Sequence, residues 1–312
     1  MARRDWSAHL RMRQIRILLA LHDTGNLSRT ARASAMTQPA LSKWLKELEH
    51  DVGAPLFVRH SKGLVPTGAC DLLAERCRLL LNDLARTIDL LDAYKEGVEA
   101  KLHVGTTPAA STEVIPASVA AMAQRLPRTM LVVREGPIDL LLPQLQDGRL
   151  DLIVSVLEDR HYGGDIAQSR LYREHMVIVA GTAHPLHQKH AVTWDAVTAY
   201  PWVGAPRDSL VHRELMHEFA LANQPLPEFL GDISSSVITS NVLARTEALA
   251  LMSRRSALLF ERAGLIRILK LPMQRRLYVG ALWRKELRLG ESGDAFLQCL
   301  RESCKAFTES TP

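Results

Sequence analysis

The 312-residue sequence predicts a fold of mixed class, α+β and α/β. Three observations predict it. The start of the chain combines short helical patterns with a surplus of basic side chains. Residues 68–96 contain no proline and have the pattern of one long helix, and after Gly97 short apolar runs alternate with amphipathic helical segments. We therefore expect a basic module over 1–67, a long linker helix over 68–97 and an α/β domain over 98–312.

Composition places the chain among globular proteins of a reducing compartment. Hydrophobic residues make up 47% of the sequence and charged residues 23%, which is enough for packed cores. The longest apolar runs are far shorter than the roughly 18 residues of a membrane span. The basic N-terminus has no apolar signal segment behind it, and the four cysteines do not form a disulfide framework in a chain of this size. We expect a cytoplasmic protein with no membrane partner.

Positive charge is concentrated in the first quarter of the chain. Residues 1–70 contain 11 Lys and Arg against 5 Asp and Glu, whereas the remainder contains 28 against 29. Such asymmetry is typical of a polyanion-binding module joined to a neutral domain. On charge alone, a basic face with no partner is an equally good interpretation.

Three short helices are predicted before residue 54. The first covers about 10–22 and ends in the turn signal "DTGNLS". Ser28 is predicted to cap a second, small-residue helix, "RTARASA". Thr37 is predicted to cap a third helix that ends at Gly53. The apolar stripe of this third helix is Leu41, Trp44, Leu45 and Leu48. The arrangement predicts a helix-turn-helix.

The polar side of the third helix has the residue types that read DNA. Gln38 can pair with adenine, Ser42 can donate or accept, and Pro39 offers an apolar surface to a thymine methyl group. The segment "PLFVRHSKGLVPTG" predicts a hairpin wing, with Arg59 or Lys62 directed at the backbone or minor groove. The complete set of predicted DNA contacts is Ser28, Arg29, Thr37, Gln38, Pro39, Ser42, Lys43, Lys46 and Arg59. An ordinary surface helix followed by an ordinary hairpin is the alternative.

Four phrases of this module, "TQPALSK", "LKELE", "VGAPLFVR" and "PTG", occur in the order and spacing of a known family. Residues 10–68 resemble the winged helix-turn-helix of LysR-type transcriptional regulators. By this resemblance the base-proximal positions are Gln38, Pro39, Ser42 and Lys43. Arg59 would be the wing contact. Leu27 stands where the family usually has Phe, and Thr30 where it often has Ala; both positions concern packing.

The linker helix has an apolar heptad pattern. Its two seam positions are occupied by Cys70, Cys77, Leu84 and Leu91 and by Leu73, Leu80, Thr87 and Tyr94. This pattern predicts pairing with a second copy, although a helix packed only within its own chain is the alternative. The resemblance implies the same pairing, giving a homodimer or a homotetramer. Cys70 and Cys77 fall on the predicted seam, where a redox switch across the dimer competes with a role as small buried hydrophobes.

The segment after residue 97 alternates strands such as "KLHVG" and "TMLVVRE" with helices such as "IDLLLPQLQDG". This order predicts parallel sheets with flanking helices. The domain resembles the two-subdomain effector domain of the same family, which is related in fold to the type 2 periplasmic binding proteins. Subdomain I would cover about 98–168 and 272–312, and subdomain II about 169–271.

Polar residues at the predicted strand ends suggest a ligand site between the subdomains. Ligands of such sheets lie at the carboxyl ends of strands, where helix N-termini supply N–H groups. The predicted effector contacts are Thr106, Thr107, Ser111, Ile138, Ser155, Arg207, Ser234 and Ser235. Hydroxyls with one arginine suit a small anion or a polyhydroxylated ligand, whereas each serine singly is more often a helix cap. The resemblance implies a small-molecule inducer, no cofactor and contact with RNA polymerase.

Enzymatic function is the main alternative, and its sequence marks are missing. There is no G-x-S-x-G elbow, phosphate loop or dinucleotide fingerprint. His184, His187 and His190 are close in sequence, yet no cysteine or carboxylate set completes a metal site. We expect no catalytic residue and no metal. An architectural DNA-binding protein without a ligand is a second alternative, which the large neutral domain disfavours. The sequence predicts a ligand-responsive, DNA-binding regulator of the LysR type.

Overall fold

The computed structural model describes residues 10–61, 63–158, 162–271, 273, 277–285 and 289–308, with side chains up to 305. The chain divides into two compact units, residues 1–93 and residues 94–312. No helix among the described residues is both long and apolar enough to cross a membrane.

The first unit is a three-helix module followed by a hairpin and a long helix. Its elements are α1 Met12–Thr24, α2 Leu27–Ala33, α3 Gln38–Val52, β1 Phe57–His60, β2 Gly63–Pro66 and α4 Gly68–Tyr94. The first three helices pack around Ile17, Ala31 and Leu41, which are all buried. Because this core takes one residue from each helix, it fixes the angles between them.

The helix ends differ from the sequence prediction at one cap. The sequence predicts Ser28 as the cap of α2, and this is wrong: Asn26 precedes the helix, and its Oδ1 accepts a hydrogen bond from the Arg29 N–H at 3.0 Å. The predicted cap of α3 is confirmed, because Thr37 Oγ1 accepts from the Ala40 N–H at 3.3 Å. Gly53 ends α3 in the left-handed conformation, also as predicted.

The hairpin β1–β2 is attached to the helices at two points. The Leu64 N–H donates to the Gly25 carbonyl oxygen at 2.8 Å, which joins β2 to the turn after α1. Glu49 Oε1 accepts from the N–H groups of Leu56 at 2.8 Å and Phe57 at 3.1 Å. These bonds fix the entry to β1 on α3, so Glu49 has a structural role in the module.

Helix α4 changes character along its length. Near its start Cys70, Ala74 and Cys77 are buried, and the two cysteines pack in one core with residues of α1 and α3. The prediction that both cysteines lie on an intermolecular seam is therefore wrong, because the first turns of α4 pack on their own module. Burial raises the pKa of the Cys70 thiol to about 12 and also raises the pKa of Cys77, which disfavours their reactive thiolates.

The second half of α4 has an exposed apolar stripe. Its members are Leu80, Leu84, Ile88 and Leu91, of which Leu80 and Leu91 are 57% and 60% exposed. The spacing of four, four and three residues places them on one side of the helix. Only part of this stripe was anticipated, because the heptad pattern does not include Ile88.

The second unit is an α/β domain. Its strands are β3 Ala100–Thr106, β4 Thr129–Glu135, β5 Leu152–Leu157, β6 Ile166–Glu174, β7 Met176–Gly181, β8 Trp202–Gly204, β9 Phe229–Asp232, β10 Leu249–Ser253, β11 Ile266–Ile268 and β12 Leu277–Arg284. Its helices are α5 Pro108–Ser111, α6 Val114–Arg125, α7 Ile138–Gln146, α8 Trp194–Thr198, α9 Leu210–Leu221, α10 Ser236–Leu243, α11 Arg254–Arg262 and α12 Gly290–Thr308.

The described strands of this unit form two five-stranded sheets, with orders β4-β3-β5-β12-β6 and β11-β7-β10-β8-β9. Three neighbouring strands of each sheet are parallel, namely β4-β3-β5 and β10-β8-β9. The expectation of parallel sheets holds for these strands and fails for the others, because β12 runs antiparallel to both β5 and β6, and β7 antiparallel to both β10 and β11. These antiparallel strands occur where the chain passes from one sheet to the other.

The first crossing between the sheets lies at His175. Strand β6 pairs with β12 over its whole length and therefore belongs to the first sheet, while β7 begins in the second sheet at Met176. The change of subdomain expected near residue 168 thus falls inside β6, a strand that the sequence pattern did not reveal. Near the crossing, Arg255 Nη1 lies 2.8 Å from Glu113 Oε2, an ion pair that joins α11 to the residue preceding α6.

Candidate nucleic-acid interface and ligand cleft

The exposed side of α3 is polar and cationic. The apolar residues Leu41, Leu45 and Leu48 are buried, and they alternate with the polar set at helical spacing. The predicted DNA contacts on this helix and its cap are all exposed except Ser42, which is half-buried: Thr37, Gln38, Pro39, Ser42, Lys43 and Lys46. A helix with its apolar side in a core and short polar groups at its N-terminus can enter a DNA major groove.

The charged groups of this face are available to a polyanion. Lys43 Nζ lies 3.8 Å from Glu47 Oε1, but both side chains are more than 60% exposed, so this pair contributes little to stability. Lys46 is exposed one turn further on. Either ammonium group can therefore turn toward a phosphate at small cost.

The other predicted contacts lie on neighbouring elements of the same module. Ser28 and Arg29 are exposed in the first turn of α2. Arg59 is exposed on β1, opposite Leu64 in the hairpin register. Lys62, the other predicted wing contact, lies outside the described residues. All nine predicted DNA contacts thus lie at least partly exposed on one module, although their contact with DNA stays a prediction.

A cleft of about 530 Å³ lies between the two sheets of the second unit. One wall is formed by the ends of β3, β4 and β5, and includes Thr107, Ile138 and Val156. The opposite wall is formed by the segments that follow β8 and β9, and includes Ser209 and Ser234. This volume falls within the range of small-molecule sites.

Three of the eight residues predicted for the effector site line this cleft: Thr107, Ile138 and Ser234. The other five lie outside its described lining. Thr106 and Ser155 are buried in their strands, and Ser155 Oγ accepts a hydrogen bond from Thr107 Oγ1 at 3.2 Å.

The remaining three predicted effector residues also lie outside the described lining of the cleft. Ser111 Oγ donates to the Pro108 carbonyl oxygen at 3.1 Å, and Ser235 Oγ caps α10 by accepting from the Ile238 N–H at 3.4 Å. Ser235 is thus a helix cap, the alternative that the sequence left open, whereas Ser111 bonds within its own short helix. Arg207 is exposed beside Pro206 and Asp208, which do line the cleft.

Comparison with known proteins assigns both units to one family. The model described as "LysR substrate binding domain" matches residues 95–305, and the model described as "Bacterial regulatory helix-turn-helix protein, lysR family" matches residues 12–71. The chain belongs to the LysR family of transcriptional regulators. It is accordingly a DNA-binding regulator with an effector-binding domain, and the resemblance seen in its sequence is confirmed.

A curated relative extends the LysR-type assignment over almost the whole chain, and two solved structures have a similar fold. The HTH-type transcriptional regulator GalR of Pseudomonas putida is 30% identical over 294 residues, which cover 93% of this chain and 73% of that protein. A full-length OxyR variant from Pseudomonas aeruginosa has a TM-score of 0.60 at 18% identity, covering 94% of this chain and 95% of that one. Full-length CbnR complexed with its target DNA has a TM-score of 0.59 at 18% identity, covering 94% of this chain and 100% of that one. At this identity the two structures support the fold.

The cleft of this LysR-type regulator contains acidic and hydroxyl groups that the sequence did not single out. Glu135 ends β4, Glu158 follows β5, and Asp208 precedes Ser209, the cap of α9. Ser253, the last residue of β10 and the cap of α11, and Ser256 in the first turn of α11 also line the cleft. The strand-end rule that located the other residues applies equally to Glu135 and Asp208, and would have found them.

Glu174 lies next to the crossing between the sheets and is 1% exposed. Burial raises the pKa of its carboxyl group to about 7, while the hydrogen bond from the His175 N–H to Oε1 at 2.9 Å and the nearby Arg255 oppose that rise. Its other oxygen, Oε2, has no hydrogen-bond partner among the described residues. Met176, two residues further along the chain, lines the cleft.

Two of the three histidines considered as metal ligands, His184 and His187, form hydrogen bonds with the backbone. His184 Nδ1 accepts from the Leu186 N–H at 3.1 Å, so its Nε2 donates to the Glu247 carbonyl oxygen at 3.1 Å. His187 Nε2 donates to the Gly181 carbonyl oxygen at 3.0 Å. Burial lowers the pKa of both rings, which favours the neutral form. Among the described residues, no group of three His, Cys, Asp or Glu side chains is arranged to hold a metal ion.

Proposed function

We propose that this LysR-type regulator reads a two-part DNA operator as a paired molecule and changes its engagement of that operator when a small inducer occupies the cleft. The observation that carries operator reading is the exposed side of α3, where Gln38 and Ser42 are separated by one turn and flanked by Lys43 and Lys46. The amide of Gln38 would pair with a base, and the lysines would neutralise phosphates.

Pairing through α4 is the second part of the proposal. The stripe of Leu80, Leu84, Ile88 and Leu91 is exposed over three turns, and a solvent-facing row of this kind is stabilised when a second helix covers it. A two-fold dimer would present two copies of α3 to half-sites on one side of the duplex. A homotetramer would be a pair of such dimers.

Ligand sensing is the third part. The cleft has walls from both sheets, and the chain passes between those sheets near His175. A ligand that contacts both walls favours one separation of the sheets over others, which is the requirement for a population shift. Action on RNA polymerase and a cytoplasmic location follow the family pattern and are part of the same proposal.

Footprinting on the DNA upstream of the regulator's own gene tests operator reading and pairing together. We expect protection of two half-sites separated by a whole number of helical turns. The double variant Leu84→Asp, Leu91→Asp should sediment as a monomer and lose the two-part footprint. Glu75→Lys is the matched control, because Glu75 is exposed on the opposite side of α4. If the double variant remained a dimer, the stripe would not be the pairing surface.

A further inference from the structure

The polar groups of the cleft differ from those of an anion site. Within the described lining, the ionisable side chains are all carboxylates: Glu135, Glu158 and Asp208. Arg213 Nη2 donates to Glu158 Oε2 at 2.7 Å, so one of these three charges is offset by an ion pair. Two carboxylates, Glu135 and Asp208, therefore dominate the side-chain charge of the cleft.

Three helices point their N-termini at the same space. Their first residues, Ile138 of α7, Leu210 of α9 and Ser236 of α10, all line the cleft. The first N–H groups of a helix have no partner within the helix, and each helix N-terminus behaves as roughly half a positive charge. Together these ends supply roughly 1.5 positive charges against the two carboxylates.

The negative charge of the two carboxylates and the partial positive charge of the three helix N-termini nearly cancel. This balance disfavours both a charged anion and a charged cation as the ligand. An anion would gain from the helix N-termini but would be repelled by Glu135 and Asp208. A cation would gain from these carboxylates but would be repelled by the helix N-termini. A hydroxyl group satisfies both, because it can donate to a carboxylate and accept from a backbone N–H at the same time. Serine and threonine hydroxyls of the cleft, among them Ser234 and Thr239, complement it in the same way.

The apolar part of the lining suits the carbon skeleton of such a ligand. Val156 and Met176 face the cleft from the first sheet and the crossing, and Val203 from the second sheet. Arg207, the one cation that would have favoured a small anion, is outside the described lining. Of the two ligand classes that the sequence left open, the geometry thus favours the polyhydroxylated one.

We propose that the cleft binds a small, uncharged, polyhydroxylated ligand of monosaccharide size, held between the carboxylates of Glu135 and Asp208 and the N-termini of α7, α9 and α10. This inference rests on the proposed ligand-sensing function of the cleft. It adds the ligand's net charge and its hydrogen-bonding character.

The test compares the same ring with three different charges. Binding of the full-length protein is measured by calorimetry and thermal shift with D-galactose, D-galacturonate and D-galactosamine, and with D-glucose, D-glucuronate and D-glucosamine. We expect at least one neutral sugar to bind, with a Kd at least tenfold lower than those of its acid and its amine. Asp208→Asn and Glu135→Gln should weaken binding of the neutral sugar and reduce the discrimination against its acid. Arg207→Ala, the matched control, should change neither.

The possible outcomes separate this inference from the proposed function. Tighter binding of an acid, with loss of that binding in Arg207→Ala, would overturn the neutral-ligand assignment and leave ligand sensing intact. Tighter binding of an amine would overturn it in the same way. If none of the six probes binds, the monosaccharide assignment is overturned. If, in addition, operator binding is unchanged by a broad set of metabolites of other chemistry, the sensing function is overturned with it.

Discussion

The Leu64 N–H donates to the Gly25 carbonyl oxygen at 2.8 Å, and this bond joins the hairpin wing to the first turn of the helix-turn-helix. Gly25 adopts φ +58°, a left-handed conformation, and a Cβ atom placed on it would lie 2.6 Å from the Leu64 carbonyl oxygen. The opposing position, Gly63, has φ +134°, and a Cβ there would lie 2.7 Å from the Gly25 carbonyl oxygen. The wing can approach the helices this closely because both positions are glycine.

Gly25→Ala is expected to destabilise the DNA-binding module strongly. The substitution imposes left-handed strain and a backbone clash, which together should lower the free energy of unfolding by about 3 kcal/mol. Gly53→Ala is the matched control: Gly53 also has a positive φ, +78°, but nothing lies within 4 Å of the added Cβ. It should cost about 1 kcal/mol. Thermal unfolding followed by circular dichroism measures both, and equal losses would show that the Gly25 contact adds nothing.

Ala35 lies in the turn between α2 and α3 with φ +52°, a conformation that an alanine adopts at a cost. Ala35→Gly removes that strain but gives the unfolded chain more freedom. We expect a net rise in the free energy of unfolding of about 0.5–1 kcal/mol. Chemical denaturation followed by circular dichroism measures this change in the free energy of unfolding. A less stable variant would mean that the turn carries no left-handed strain.

Glu174 is expected to make the stability of the effector domain depend on pH. Its pKa is raised from 4.5 to about 7 by burial, so between these values the folded chain keeps a proton that the unfolded chain releases. The contribution of this group therefore favours folding below pH 4.5 and is lost as the pH rises to about 7. Glu174→Gln removes the dependence and is expected to raise stability above pH 7 by about 1–3 kcal/mol.

Denaturation of wild type and Glu174→Gln across pH 5 to 8 checks this expectation. The difference between the two proteins should grow with pH and level off above about pH 7. Glu75→Gln, at an exposed carboxyl of α4, should track the wild type throughout. A pH-independent difference would show that Glu174 does not titrate in this range.

Sequence reasoning located the DNA-binding module in detail because its signals are local. A cap at Thr37, a stop at Gly53 and apolar spacing within α3 depend on neighbours in the chain. The error at Ser28 was also local: Asn26 is an equally good cap two residues earlier, and nothing in the pattern excludes it.

The cleft was predicted less completely because it is assembled from distant segments. Thr107 follows a strand of the first sheet and Ser234 a strand of the second, and these distant segments meet only in the folded domain. Strand β6 was missed because its alternating pattern lies between polar turns and continues almost directly into β7. Arg207 was favoured as a ligand contact from its position after a strand, yet that position does not determine the direction of an exposed side chain.

The central claim is that α3 reads bases through Gln38. The most direct measurement is competition binding of wild type and Gln38→Ala to DNA upstream of the regulator's own gene and to random DNA, at two salt concentrations. His50→Ala, exposed in the last turn of the same helix, is the control. We predict that Gln38→Ala loses about 1–3 kcal/mol on the upstream DNA and almost nothing on random DNA, while salt weakens every complex. Equal losses on both DNAs, or no preference of the wild type for the upstream DNA, would contradict the account.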